Sequence, residues 1–165
     1  MAGAVCEDDV GRILVAVDPG SSNFAVVARN LDTGRIYLAQ TFFIANCTAS
    51  QHVLVIRAID TLCSCIALLP RAPNAIVVEQ QMSQRMCAIS SAVLSYAHIS
   101  RIPAELVGAC QWKVATQTLI TGKHKTNKLS ALERCKELGV DCPDSHTADA
   151  WLMTEWWRVS KAMQH

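Results

Sequence analysis

Two carboxylates close apolar, β-branched runs in this sequence. Asp18 ends the stretch "ILVAVD" and Glu79 ends the stretch "AIVVE". If both runs are strands that pair in parallel, the two acids emerge at the same edge of a sheet, where they repel each other unless a cation lies between them. Carboxylate oxygens in a water-accessible site suit Mg²⁺ or Mn²⁺. The pair therefore predicts a divalent metal site.

The last predicted helix supplies two further candidate ligands. The stretch "HTADA" places His146 and Asp149 three residues apart, which puts both on one helical face. If that face meets the strand ends, the four side chains can surround two metal ions. Two such ions can clamp the attacking water and the leaving oxygen of a phosphodiester.

Taken singly, each residue also has an ordinary structural explanation. An aspartate before Pro-Gly is commonly a turn residue, and a glutamate after a strand is commonly a solvated strand end. His146 then only begins a helix, Asp149 is an acid favoured by the helix dipole, and Asp144 is a cap. The metal hypothesis rests on the order of the set and on the two acids at apolar strand ends.

Basic residues concentrate between positions 113 and 136, where Glu133 is the only acid. Nucleic-acid phosphates require such local positive charge whatever the total charge of the chain. The candidates for DNA contact in this segment are Lys113, Lys123, Lys125 and Lys128. The alternative is a solvated helix face with a polar loop, "TGKHKTN".

The elements that must position these residues follow from hydrophobic periodicity. Strands are predicted in "RILVAVD", "NFAVVAR", "IYLAQTFFI", "AIVVE" and "AELVG". Helices are predicted in "HVLVIRAIDTLCSCIALL", "MCAISSAVLSYAHI", "CQWKVATQTLI", "KLSALERCKELG" and "HTADAWLMTEWWRVSKA", the last capped by Ser145. This order predicts an α/β protein with a mixed sheet and helices on its faces.

Several helices have a predicted inward face. The buried positions are expected to be Val53, Ile56, Ile59, Leu62, Ile66 and Leu69 in the first helix, and Leu129, Leu132 and Leu138 in the fourth. Trp156 and Trp157 are assigned to core or interface packing rather than to base stacking. Small residues of the second helix favour it as a dimer interface: Ala88, Ser91, Ala92, Ser95 and Ala97.

Composition sets the broad class. The chain has 165 residues, 51% of them hydrophobic and 18% charged, with a net charge of +1. These values predict one globular domain over residues 1–165 and exclude a disordered chain. No run reaches the ~18 apolar residues of a membrane span, and the acidic start lacks a secretory signal. The eight cysteines form no CxxC pair, and most lie in apolar stretches, which favours reduced, buried thiols in an intracellular protein over disulfides.

Three blocks together resemble a known family. "ILVAVDPGSSNFAVV", "AIVVEQQ" and "HTADAW" resemble the acidic blocks of the RuvC-type Holliday junction resolvases, which belong to the RNase H-like superfamily. The "VVEQQ" block and the small size are most similar to resolvases of poxviruses and other large DNA viruses, with their mitochondrial relatives. The resemblance implies an RNase H-like mixed five-stranded sheet with helices on both faces.

The resemblance also implies an activity. Such a homodimer cuts a four-way DNA junction by paired nicks with Mg²⁺ or Mn²⁺, two ions per site, leaving 5′-phosphate and 3′-hydroxyl ends. If the protein is viral, it acts in recombination or concatemer resolution where viral DNA replicates in the host cell; otherwise a mitochondrial or cytoplasmic location is expected. No membrane partner is expected.

The resemblance assigns roles to individual residues. Asp18 matches the acid that bridges both metals, and Glu79 and Asp149 match two further ligands. His146 stands where many members have aspartate and some bacterial members have histidine, so activity should fall below about pH 6.5 as the imidazole protonates. Lys113 is expected near the scissile strand. Gln81 and Arg85 are expected near the junction centre.

Three alternatives remain open at this stage. "DPGSSN" also resembles the phosphate loop of sugar-kinase or actin-like ATPases, but these need a second domain that 165 residues cannot hold. An RNase H-like nuclease acting on RNA–DNA hybrids or other branched DNA would keep the same metal site. A non-catalytic junction-binding protein would not need the full acidic set, because buried unpaired acids cost stability.

Overall fold

The computed structural model describes residues 11–46, 48–118 and 124–162. Five strands and five helices are assigned within these ranges. The strands are β1 (Ile13–Pro19), β2 (Asn23–Asn30), β3 (Ile36–Phe43), β4 (Ala75–Gln80) and β5 (Ala104–Gly108). The helices are α1 (Gln51–Ala67), α2 (Gln84–Ile99), α3 (Ala109–Ala115), α4 (His124–Glu137) and α5 (Ser145–Ala162).

The strands form one mixed sheet in the order β3-β2-β1-β4-β5. β1, β2 and β3 pair antiparallel as a meander, whereas β4 pairs parallel with β1 and β5 pairs parallel with β4. The turn between β2 and β3 uses Gly34 at φ 78°, a left-handed conformation that glycine adopts without strain. The predicted five-stranded mixed sheet is confirmed.

Side chains alternate along each strand, so the sheet has two buried faces. The α1–α2 face buries Val15 and Val17 of β1 under helices α1 and α2. The α5 face buries Leu14 and Ala16 of the same strand together with residues of α3, α4 and α5. Helices therefore cover both faces, as predicted. No described helix has the length and apolar character needed to cross a membrane.

The predicted inward face of α1 is partly wrong. Val53 and Ile56 are 37% and 46% exposed, and the buried residues are Leu54, Ala58, Leu62 and Cys65. The observed stripe has the same helical spacing but is rotated about the axis. Small residues on this stripe let the helix approach the sheet closely. A prediction from side-chain hydrophobicity favours the larger apolar residues and does not identify this face.

Helix α4 shows the same kind of error. Leu129 and Leu138, the second just beyond the helix end, are 52% and 38% exposed, while Ala131 and Cys135 are fully buried. The third predicted residue, Leu132, is partly buried against the same core. The small side chains of Ala131 and Cys135 lie in the core of the α5 face. In α2, Ala97 is also buried in the core of its own chain and is therefore not part of a free small-residue surface.

Several helix boundaries differ from the prediction. α2 begins at Gln84, where the Ser83 hydroxyl accepts a hydrogen bond from the Met86 amide at 3.3 Å. α3 ends at Ala115, and Gln117 has a φ of 59°, which a continuing helix does not allow. α4 begins at His124, inside the segment predicted as a loop.

Candidate active site

The two acids predicted at the strand ends lie side by side. β1 and β4 pair in parallel up to Val17 and Val78, and Asp18 and Glu79 are the next residues. Asp18 lies two residues after Ala16 and Glu79 two residues after Val77, so by alternation both carboxylates point to the α5 face. They are 5% and 8% exposed. The sheet register thus places two buried carboxylates together at one edge of the α5 face.

The first turn of α5 is fixed over these strand ends by Asp144. Its Oδ1 accepts hydrogen bonds from the backbone amides of His146 and Thr147, both at 2.9 Å, and from the Thr41 hydroxyl at 2.8 Å. These bonds hold the pKa of Asp144 below its usual value despite partial burial. Asp144 rather than Ser145 is therefore the N-cap of α5, and it ties the helix to β3.

His146 connects Asp18 to Lys128. The imidazole Nδ1 lies 2.9 Å from Asp18 Oδ2, and Nε2 lies 3.4 Å from Lys128 Nζ. A lysine ammonium only donates, so in the neutral imidazole Nε2 accepts and Nδ1 carries the proton towards Asp18. The hydrogen bond to Asp18 raises the pKa of His146, although burial opposes this shift.

Both oxygens of Glu79 accept hydrogen bonds from side chains. The indole Nε1 of Trp112 donates to Oε1 at 3.0 Å, and the Gln81 amide donates to Oε2 at 2.7 Å. The same Gln81 nitrogen lies 3.3 Å from Asp18 Oδ1. Sequence reasoning missed Trp112; the only signal was that a buried tryptophan in an apolar helix needs an acceptor for its N–H.

The remaining acid, Asp149, is in an unfavourable environment. Its Oδ1 is buried and has no hydrogen-bond partner within the described part of the chain. Burial, followed by the charge of Asp18, raises the pKa of Asp149 to about 7. Burial, followed by the charges of Asp18 and Asp149, raises the pKa of Glu79 to about 8. The three carboxylates are therefore crowded in a way that an added positive charge would relieve.

The cluster opens into a cleft of about 590 Å³. Its walls include the turn from Pro19 to Asn23 and the side chains of Lys113 and Lys128. In that turn the Gly20 amide donates to the Asn23 carbonyl at 2.8 Å, and a Cβ on Gly20 would stand 2.6 Å from that oxygen. The glycine is therefore required for the tight turn beside the acids.

The other predicted DNA-contact residues are placed differently. Gln81 lines the cleft, but its amide points at the acids. Arg85 donates to the backbone carbonyl of Ala49 and so joins α2 to the segment before α1. Lys123 lies outside the described residues, as does the side chain of Lys125. Lys113 lies with its ammonium 4.9 Å from the Trp112 ring centroid.

The donor set fits a divalent cation although its side chains are not preassembled around one. Within residues 11–46, 48–118 and 124–162, no three His, Cys, Asp or Glu side chains form a ready metal-binding group. The Gln81 amide instead donates to both Asp18 and Glu79, and His146 contacts Asp18. Three carboxylates, one of them with the unpartnered oxygen of Asp149, and an imidazole are ligands that Mg²⁺ or Mn²⁺ accepts.

This fold is shared with solved structures of RuvC from Thermus thermophilus. One, in complex with a Holliday junction substrate, gives a TM-score of 0.68 at 17% identity, covering 92% of this chain and 96% of that chain. A second RuvC structure gives 0.62 at 19% identity, covering 90% and 96%. The chain has the RuvC fold. No protein-family profile and no curated protein matches its sequence.

Within the RuvC fold, the acids of this chain come from three separate elements. Asp18 comes from β1, Glu79 from β4, and Asp149 with His146 from α5. All four side chains line the same cleft. The fold thus brings together residues that are far apart in the sequence, at a place where a ligand can reach them.

Proposed function

We propose that this protein is a metal-dependent endonuclease that resolves four-way DNA junctions. The observation that carries the proposal is the cluster of Asp18, Glu79, His146 and Asp149 in an open cleft that also contains Lys113 and Lys128. The RuvC fold supports it, since a T. thermophilus RuvC was solved in complex with a Holliday junction substrate.

Mg²⁺, or Mn²⁺ in its place, would be held by these four residues, as two ions per site. When bound, the cations supply the charge that activates water and stabilises the leaving oxygen of a phosphodiester. Asp18 would be one of these ligands, and its two oxygens contact His146 and Gln81. Trp112 orients Glu79 by its indole N–H, and the Asp144 cap holds the turn that bears His146.

The basic residues serve the nucleic acid. Lys113 and Lys128 lie on the cleft wall, where an ammonium can contact the phosphate that enters beside the acids. Lys123 and Lys125 extend the same positive segment along the chain and are proposed to contact the DNA arms. Arg85 is proposed to contact the junction only if its bond to the Ala49 carbonyl is released.

Two copies of the chain are proposed to act together, because paired nicks need two sites. We assign the interface to α2, where Ser91 and Ser95 are exposed and Ala88 and Ala92 are half-buried. The whole chain is proposed to form one nuclease domain. The "VVEQQ" resemblance favours a viral or mitochondrial setting, with a role in recombination or concatemer resolution.

A cleavage assay tests this function. Purified protein is incubated with a labelled immobile four-way junction, a linear duplex and an RNA–DNA hybrid, each with Mg²⁺, Mn²⁺ or EDTA. We expect paired, metal-dependent nicks in the junction and none in the duplex. Asp18→Asn should bind the junction without cutting it. Cleavage of the hybrid alone would show that the proposed substrate is wrong. Junction binding by the wild type without cleavage would show that the protein is not a nuclease.

A further inference from the structure

The Gln81 amide lies between two carboxylates. Its nitrogen is 2.7 Å from Glu79 Oε2 and 3.3 Å from Asp18 Oδ1. The N–H end of an amide dipole carries partial positive charge, so its position and polarity match those of a small cation held between two acids. Gln81 was expected to contact DNA, yet in this structure its donor group is used inside the acidic cluster.

We propose that Gln81 is an internal substitute for the metal, whose side-chain amide bridges Asp18 and Glu79 in the metal-free protein and moves out when a divalent cation binds. The inference rests on the proposed metal site. It adds a residue that sets the affinity for the metal and that is not itself a ligand.

The two donors to Glu79 differ in how easily they can be exchanged. Trp112 is fully buried in α3. Gln81 is half-buried and lies in the short segment between β4 and α2, next to Met82, which is 94% exposed. The backbone of Gln81 is held, because its carbonyl accepts from the Cys87 thiol at 3.0 Å. A change of side-chain rotamer is therefore enough to release the amide.

The charges favour this exchange. An amide can donate to both carboxylates but carries no net charge, so the repulsion among Asp18, Glu79 and Asp149 persists while Gln81 is in place. A divalent cation satisfies the same oxygens and removes the repulsion. Once released, the Gln81 amide remains in the cleft and can donate to nucleic acid there, so metal binding would prepare a DNA contact.

Metal affinity in the absence of DNA tests the proposal. Mn²⁺ binding is measured by titration calorimetry and by electron paramagnetic resonance for the wild type, Gln81→Met, Gln84→Met and Asp18→Asn. Methionine keeps the length of the side chain and removes the donor. Gln84 is the matched control, being an exposed glutamine at the start of α2. We expect Gln81→Met to bind Mn²⁺ about 3- to 30-fold more tightly and Gln84→Met to match the wild type.

A second readout follows the side chain itself. In spectra of the ¹⁵N-labelled wild type, the Gln81 amide resonances should shift to values of a free glutamine during a Mg²⁺ titration. Gln81→Met identifies these resonances by their loss. This measurement needs only the folded wild type if the variant proves unstable, since candidate resonances can be assigned through the backbone.

The outcomes separate the two levels of the inference. If the wild type binds Mn²⁺, Asp18→Asn does not, and Gln81→Met binds equally or more weakly, Gln81 is not a metal substitute although the metal site stands. Gln81 resonances that do not move with Mg²⁺ lead to the same conclusion. If the wild type binds no Mn²⁺, the metal site and the role of Gln81 are both overturned.

Discussion

The two faces of the sheet bury different kinds of side chain. The α1–α2 face packs aliphatic residues and Phe24 against α1 and α2. The α5 face buries Thr147 and Thr154 as well as apolar residues, and it also holds an ion pair between Arg29 and Glu155 at 2.7 Å, with the two side chains 12% and 14% exposed. The acidic cluster belongs to this second, more polar face.

The two faces therefore have different roles: the α1–α2 face contributes mainly stability, and the α5 face holds the side chains that could carry out chemistry. Apolar burial on the α1–α2 face stabilises the fold in proportion to the area removed from water. On the α5 face, burial works against the charges of Glu79 and Asp149, as the raised pKa values of both show. The first face must therefore offset the cost of holding these acids out of water. Substitutions on the two faces should have different consequences.

The largest expected effect is on cleavage, from Asp149→Asn. If Asp149 is a metal ligand as proposed, its loss should lower junction cleavage by a factor of about 10³ or more, which corresponds to about 4 kcal/mol. The free energy of unfolding of the metal-free variant should rise by about 1–3 kcal/mol at about pH 8, because burial and the charge of Asp18 raise the pKa of the wild-type carboxylate to about 7 and the amide carries no charge. Single-turnover cleavage and urea unfolding in EDTA measure the two effects.

If Asp149→Asn lost both cleavage and stability, the conclusion that the two faces have separate roles would be wrong. Thr154→Ser, on the same helix and away from the cleft, is the control. Its cleavage rate should stay within about twofold of the wild type.

The next effect is on stability, from Leu54→Ala on α1. This side chain is fully buried on the α1–α2 face, and its truncation should lower the free energy of unfolding by about 2–5 kcal/mol. The Mn²⁺ affinity of the folded protein should not change. Val53→Ala, at the neighbouring position that is 37% exposed, should cost much less. A large loss of Mn²⁺ affinity in folded Leu54→Ala would show that the faces are coupled.

A smaller effect, with opposite signs for stability and function, is expected for Glu79→Gln. Burial and neighbouring acids raise the pKa of Glu79 from 4.5 to about 8. The folded protein therefore favours the protonated carboxyl, and this stabilisation is complete below the unfolded pKa and is lost as pH rises through the folded pKa. The amide does not ionise, so in EDTA the variant should gain about 1–3 kcal/mol over the wild type between about pH 5 and pH 9.

Urea unfolding at those two pH values measures this gain. At the higher pH, Mg²⁺ should raise the free energy of unfolding of the wild type and leave that of the variant unchanged. Equal pH dependence of the two proteins would show that Glu79 is not destabilised by its surroundings. Junction cleavage by Glu79→Gln should be lost at every pH.

The smallest effect is expected at Asp144, which caps α5 and also holds the helical turn that bears His146. Asp144→Ala removes the cap of α5 and should cost about 0.5–2 kcal/mol. The pKa of Asp144 is lowered in the folded protein, so its stabilisation is present above the unfolded pKa and is lost as pH falls through the folded value. Asp144→Asn, which keeps an acceptor, should recover most of the loss at neutral pH. Thermal unfolding from about pH 3 to pH 7 tests this.

Much of the fold follows from local patterns in the sequence. The strands are short, β-branched and bounded by turn residues, and the register that brings Asp18 next to Glu79 follows from parallel pairing of two apolar runs. The inward faces of α1 and α4 were harder to predict. Ala58 and Ala131 are buried because close approach of a helix needs small side chains, and the hydrophobicity of larger residues does not report that requirement.

The candidate site could be predicted in its charges but not in its hydrogen bonds. Asp18 and Glu79 stand out because each closes an apolar strand, and His146 and Asp149 because their spacing places them on one helical face. Trp112 was not, because it reaches Glu79 from 33 residues away and no local pattern records that contact. The inward direction of Gln81 depends on how the chain leaves β4, which the letters "EQQMSQ" do not determine.

The residues of the acidic cluster are far apart in the sequence, and this has a consequence for the order of folding. β1, β2 and β3 pair with immediate neighbours in the sequence, and such local contacts form early. The contact between Asp18 and His146 spans 128 residues, so it requires α5 to dock on a sheet that already exists. A nascent chain whose α5 is still inside the ribosome can thus form its meander but cannot complete the acidic cluster. We expect a cotranslational intermediate to be structured yet to lack the proposed metal site.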